Sequence, residues 1–238
     1  MKKNMKKNMK KIVLTAILAA FVALGFVGGT MTPSAAQNQE KIKDAKINYA
    51  AIPAGEYTLD PAHSLIGFAV RHLEINLVSG RFKDFTGAIN YDERDVTKST
   101  VAFNAKIASI DTEVAARDKH LLSADFFEAE KYPEMSFKST KIEKKGKNSY
   151  LAYGDFTLKG VTKQIELPFT LTGAIKDPWG NTRFGIEART KINRRDYGIN
   201  YGNALPAGGF DVANEVEIDL RLEAVKPEPK PAVNANGK

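Results

Sequence analysis

The chain has no cysteine among its 238 residues. That excludes disulfides, thiolate metal sites, thiol nucleophiles and a lipid-acylated cysteine, so stability has to come from a buried core. Histidine is scarce, with three residues, and tryptophan occurs once. An excess of one charge is also missing from most of the chain. The formal net charge is +7, but six lysines lie in the opening "MKKNMKKNMKK" and no acid occurs before residue 37. The remainder carries 29 basic against 28 acidic residues, a net +1. Such a balance gives no phosphate-binding surface, and no nucleic-acid partner is expected.

One long hydrophobic run is present, "IVLTAILAAFVALGFVGG", directly after the lysines and before small residues ending in "SAA". This order predicts a secretory signal peptide over 1–36, cut after Ala36. The alternative is a retained membrane anchor, for which the run is near the lower limit of length and is interrupted by Gly25, Gly28 and Gly29. Residues 37–55 are polar and without sustained period, and 226–238 are rich in proline and polar residues; both read as flexible flanks. No fixed-period repeat or composition break divides 56–225.

Across 56–225 apolar residues recur at every second position, punctuated by Gly, Asn, Asp and Pro. Ile66, Phe68 and Val70 share one parity, as do Ile89 with Tyr91, Val101 with Phe103 and Ile107, and Phe156 with Leu158. Phe137, Ile186 and Ile192 continue the pattern. It is sharpest in "EVEIDLRLE", where Val216, Ile218 and Leu220 alternate with charged residues. Alternation of this kind belongs to antiparallel sheet with one solvated face. About eight strands of this type build either a two-sheet sandwich or a closed barrel, and a barrel of that size encloses room for one small ligand. One segment breaks the period: "TEVAARDKHLLSADFFEAEKYP" reads as a helical insertion with Thr112 and Ser123 as candidate N-caps and Pro133 as its stop.

Chemistry-bearing residues are few. His63 and His72 close the two ends of "HSLIGFAVRH", roughly 30 Å apart in a continuous strand at about 3.3 Å per residue, and point to opposite faces. They do not share a metal ion unless the strand bends sharply, and His120 is the one further histidine. No short-spaced ligand set, nucleophile elbow or thiol is present, so no metal, no catalytic residue and no catalytic cofactor are expected. A histidine-dependent metal enzyme remains the rival reading. Arg194, on the apolar parity of "INRRDYGINYG", reads either as an ion pair with Asp196 or as a contact for a polar ligand headgroup. The turn "DPWG" at 177–180 places the lone tryptophan over a barrel end.

Five segments, "YTLDPAHSLIGFAVRHL", "VSGRFKDFTGAINYD", "HLLSADFFEAEKYPEMSFKST", "GDFTLKGVTKQIELPFTLTG" and "INRRDYGINYG", resemble in sequence and order the YceI-like family of lipid- and polyisoprenoid-binding proteins. The resemblance spans about 56–225. It implies an all-β fold, an eight-stranded antiparallel lipocalin-like barrel with a short helical insertion. It also implies export to the periplasm and binding, transport or storage of a long-chain isoprenoid lipid, a polyprenol or isoprenoid quinone. On that reading the sixteen apolar residues named above line the lumen, from Ile66 to Leu220, and His72 and Arg194 contact the headgroup. Transient contact with a membrane or a membrane redox protein, and a homodimer, are compatible with the role. The remaining rival is a structural or interaction barrel filled by its own side chains.

Overall fold

In the computed structural model of the protein, residues 49–226 are described; the expected signal peptide, most of the first polar flank and nearly all of the C-terminal tail lie outside them. The alternating segments become eight long strands, three of them broken once. Strands β1 (Gly55–Leu59) and β2 (Leu65–His72) are the halves of one. They part at a turn where Pro61 has no N–H for a ladder and the Asp60 carboxylate accepts from Ala62 N at 3.0 Å. Strands β3 (Asn76–Phe82) and β4 (Phe85–Tyr91) part at residues 83–84, and β5 (Thr100–Lys106) and β6 (Ile110–Asp111) at a 3-10 turn, Ile107–Ser109. These two breaks face each other: Lys83 N donates to Ser109 O at 3.2 Å and Lys106 N to Asp84 O at 2.9 Å. The other five strands are unbroken: β7 (Glu134–Gly146), β8 (Ser149–Leu158), β9 (Val161–Lys176), β10 (Thr182–Asn193) and β11 (Val212–Lys226).

Every pairing between these strands is antiparallel, and β11 closes the ring by pairing with β2 over one part of its length and with β1 over another. The result is a closed eight-stranded antiparallel barrel. Closure removes the unpaired edges that an open sheet of this size would expose. Register brings the alternating apolar residues onto one shared face: Ile218 lies opposite Phe68 and Thr190, Leu220 opposite Ile66 and Ala188, and Val216 opposite Val70 and Ile192. The intervening outward residues form charge ladders, with Arg189 to Asp219 at 3.2 Å and Lys191 to Glu215 at 2.7 Å. Exposed pairs of this type contribute about 0–1 kcal/mol each, so the inward apolar residues carry the fold.

Three features differ from the sequence expectation. The helical insertion yields a single short helix, α1 (Ala115–Leu121), and then turns. Neither candidate cap serves as one: Val114 occupies the N-cap position, Asp118 reaches back to accept from Thr112 N at 2.9 Å, and the Ser123 hydroxyl donates to His120 O at 2.7 Å. Trp179 does not cover a barrel end but stands 79% exposed on its turn, because Asp177 takes the inward place and accepts from Trp179 N and Asn181 N, each at 2.9 Å. Within the stretch read as a polar flank, Ala50 exchanges two backbone hydrogen bonds with Ala174, and Ile52 is buried in the core.

Candidate ligand-binding site

The barrel interior holds two apolar chambers. The larger, about 390 Å³, lies at the end capped by α1. Of the residues expected in the lumen, Ile66, Phe68, Val70, Phe103, Phe137, Phe156, Leu158, Ile192, Val216, Ile218 and Leu220 line it. Ile89, Tyr91, Val101 and Ile186 instead line a second space of about 60 Å³ toward the opposite end. Ile107 lines neither; the 3-10 turn interrupts the alternation there and packs its side chain, 1% exposed, into the core. Phe103, Phe137, Leu167 and Leu220 belong to both linings and form the partition between the chambers.

Several lining residues were not singled out from the sequence. Val78 and Phe82 follow the parity of β3, a strand whose period is blurred by Gly80 and Arg81. The Phe68 ring lies over Gly80, where a Cβ would come within 2.7 Å of its Cε1, so glycine makes the room. Leu121, Phe126 and Phe127 come from the insertion, and Ile199 and Tyr201 from the irregular segment after β10. These segments have no strand period, so no parity argument reaches them.

Besides Thr112, Thr190 and Tyr201, the polar lining is basic: Arg71, His72, Arg117, His120 and Arg194 contribute to it, and among the described residues no Asp or Glu does. Arg117 is held by Thr112, its Nε donating to Oγ1 at 2.8 Å and its Nη2 to the carbonyl at 2.7 Å. His120 pairs with Asp125 at 2.9 Å and stands edge-on to Phe126 and Tyr201, with centroids 5.1 and 5.0 Å away. Arg194 corrects one expectation, since it makes no ion pair with Asp196. Its guanidinium, 3% exposed, donates to the carbonyls of Ala213, Ile199 and Val212, each at 2.8 Å. Strand β10 ends there in a 3-10 turn, Arg194–Tyr197, which turns the side chain inward and leaves Asp196 outside. Burial, reinforced by Arg195, pushes its pKa below the usual arginine value.

His63 lies elsewhere. It is exposed on the turn between β1 and β2, where its Nδ1 contacts Asp60 at 3.0 Å, and that hydrogen bond raises its pKa. Ligand atoms of Asp60, His63 and Glu223 fall within 4.8 Å of one another, the arrangement of a candidate cation site. A cation already stands among them: Arg183 donates from Nη1 to Asp60 at 2.6 Å and to Glu223 at 2.5 Å, and from Nε to Asp177 at 2.6 Å. Arg183, followed by His63, holds Asp60 down at about 2; at Asp177 burial opposes the shift, but Arg183 and Asn181 still bring it to about 2. This hub ties the β1–β2 corner to the β9–β10 turn and β11. A wider depression of about 930 Å³ lies against the outer face of β2, β3, β10 and β11. Its charges pair among themselves, Arg81 with Asp111 at 3.3 Å and Arg221 with Asp219 at 2.6 Å, so it lacks the dry character of the lumen.

The YceI-like domain family matches residues 57–224, the stretch that builds this barrel. The chain belongs to the YceI-like family. The UPF0312 protein plu2095 of Photorhabdus laumondii is 44% identical over 153 residues, covering 63% of this chain and 79% of the relative. A UPF0312 protein of Vibrio cholerae, VC_A0539, is 37% identical over 178 residues, 74% of this chain and 90% of the relative. The crystal structure of the Campylobacter jejuni YCEI protein is 33% identical with a TM-score of 0.56, spanning 72% of this chain and 98% of that one. A polyisoprenoid binding domain from Saccharophagus degradans, 14% identical with a TM-score of 0.54, shares the YceI-like fold over 74% of this chain and 100% of its own.

Proposed function

We propose that this YceI-like protein is an exported carrier or store for an isoprenoid lipid, a binding protein and not an enzyme. The observation that carries the reading is the dry chamber of about 390 Å³ inside a closed barrel, lined by aliphatic and aromatic side chains and bordered by cationic ones. A barrel filled by its own side chains has no such space. An isoprenoid chain offers no hydrogen bonds along its length and needs none from the wall. At about 0.8 kcal/mol per buried methylene-sized group, a five-carbon unit contributes on the order of 3 to 4 kcal/mol gross. Three units then reach on the order of 10 kcal/mol, comparable with an association cost of roughly 4 to 15 kcal/mol. Chain burial supplies affinity, and the headgroup is left to supply selection.

The acid-free rim favours a headgroup that accepts hydrogen bonds, such as a quinone carbonyl or a phosphate ester, beside His72 and Arg194. The polyisoprenoid named for the Saccharophagus degradans domain accords with such a cargo. Export to the periplasm rests on the lysine-rich start, the apolar run and "SAA". One preparation tests both parts. Protein purified from a bacterial periplasm is expected to release a near-stoichiometric isoprenoid lipid into an organic extract, and its intact mass is expected to begin near Gln37. Lipid-free preparations that also take up no added quinone or polyprenol would overturn the carrier reading, and a retained Met1 would overturn the cleavage.

A further inference from the structure

The end of the larger chamber that reaches the surface carries an apolar tip with no task in the fold. Strands β2 and β3 pair as a hairpin up to His72 opposite Asn76, and Ile75 N donates to His72 O at 3.1 Å across the turn. Both central residues of that turn, Leu73 and Glu74, are left-handed, with φ of 51° and 60°. Asparagine and glycine suit such positions, and a leucine there is strained. Burial does not offset the strain: Leu73 is exposed, Ile75 is 78% exposed, and Leu77 is exposed on the strand that follows. The tip is joined to residues 201–210, "YGNALPAGGF", which hold no charge. Leu73 N donates to Asp211 O at 2.9 Å, and Phe210 N to Glu74 Oε1 at 3.1 Å. Tyr201 is exposed and also lines the chamber, as Arg71 and His72 do, so tip and loop border the place where the chamber opens. Charge around this border is one-sided. Arg71 on β2 and Lys119 on α1 are exposed and ion-paired to no described residue. Acids of the same segments are turned into the protein: Glu74 to Phe210 N, Asp118 to Thr112, Asp125 to His120 and Asp211 to Asn203 N. Glu113, just before α1, lines the outer depression.

We propose that this border is a docking surface for an anionic lipid bilayer, with the hairpin tip, residues 73–75, entering the headgroup layer while Arg71 and Lys119 meet lipid phosphates. The inference rests on the carrier reading above and adds to it the place where cargo is exchanged. A bilayer matches the border in both of its layers: exposed apolar side chains reach the acyl boundary, and unpaired cations lie level with the anionic surface. Continuity with the chamber points the same way. A cargo that leaves beside a tip already set in lipid does not have to cross water, which an apolar chain enters only at a large cost. A second copy of the chain fits less well. Two-fold pairing of this border would gather Arg71 and Lys119 of both copies in one interface, with the acids of the border already engaged.

Leu73, Ile75 and Lys119 do not line the chamber, so their variants separate docking from carrying. Wild-type protein purified from a bacterial periplasm is expected to cosediment with vesicles of phosphatidylethanolamine and phosphatidylglycerol, and not with phosphatidylcholine alone. Binding should weaken as salt rises from about 0.1 M to about 1 M, which shortens the Debye length from about 10 Å to about 3 Å. Ile75→Ser should lower the partition constant about tenfold, and Lys119→Gln about fivefold. Leu73→Asn, which eases the left-handed backbone, should weaken binding while leaving the fold at least as stable. A tryptophan at the tip reads insertion directly: Ile75→Trp, made together with Trp179→Phe, should shift its emission to the blue on anionic vesicles. Trp179 of the wild type, beyond the other end of β10, should not shift. Wild-type protein that ignores anionic vesicles, full binding by Ile75→Ser, or a blue shift of Trp179 overturns the docking surface. A dimer that Ile75→Ser dissociates, with no vesicle binding, assigns the border to a second copy and overturns it too. The carrier reading is decided separately, by whether the same wild-type protein yields lipid to an organic extract.

Discussion

Leu220→Lys gives the sharpest test of which face of β11 is interior. Leu220 is 3% exposed and belongs to the partition, so a lysine placed there has no short route to water. Losing the buried leucine costs about 2 kcal/mol. The ammonium then either stays charged in an apolar site or gives up its proton. At pH 7 deprotonation costs about 5 kcal/mol, since the ordinary lysine value is about 10.4 and each unit is worth about 1.4 kcal/mol. A destabilisation of about 5 to 7 kcal/mol is expected, close to the whole stability of many domains. The sign with pH follows from linkage. The folded-state pKa is lowered, so between it and about 10.4 the unfolded chain binds more protons, and the deficit should shrink by about 1.4 kcal/mol per unit as pH rises from 7 toward 10. Urea unfolding followed by far-UV circular dichroism measures this; the exposed Trp179 makes fluorescence a poor probe of the core. Glu217→Gln, on the outward parity of the same strand, is the control and should change stability by no more than about 0.5 kcal/mol. A Leu220→Lys deficit below about 2 kcal/mol at pH 7, or one independent of pH, would refute the assignment of Leu220 to a dry interior.

Two further expectations concern the charged groups. Arg194→Met leaves three carbonyls without their shared donor; against the relief of removing a buried charge, a net loss of about 3 kcal/mol is expected, a fall of roughly 6 to 12 °C in Tm. A fall of under about 2 °C would show that those carbonyls do not depend on the guanidinium. At the Arg183 hub, Asp60 and Asp177 sit at about 2, below their unfolded values, so their contribution is present above about pH 4 and lost as pH falls toward 2. Arg183→Met should lower neutral-pH stability by about 3 kcal/mol, since the carboxylates then face one another without their shared cation, and should flatten that acid-side loss. Equal acid sensitivity in variant and wild type would show that the hub does not set it.

The sequence alone determined the all-β character, the number of long strands and the inward face of most of them, because side-chain direction in a strand has a period of two that any alternating pattern displays. It also carried the family, through long segments in order. The residues of β2, β10 and β11 were legible for that reason, and Ile66, Phe68, Val216 and Ile218 line the larger chamber as their parity requires. Where local period fails, the sequence was silent. Phe126, Ile199 and Tyr201 reach the chamber from turns, Arg194 bonds carbonyls up to 19 residues away, and Ile107 leaves the lumen at a 3-10 break. Division of the interior into two chambers was decided only by tertiary structure. Where the Phe137 ring stands depends on its partner Phe103 and on the missing side chain at Gly154, residues that pairing across β5, β7 and β8 brings together. Alternation tells which way a side chain points. How far it reaches depends on what stands opposite, and closure of the barrel sets that.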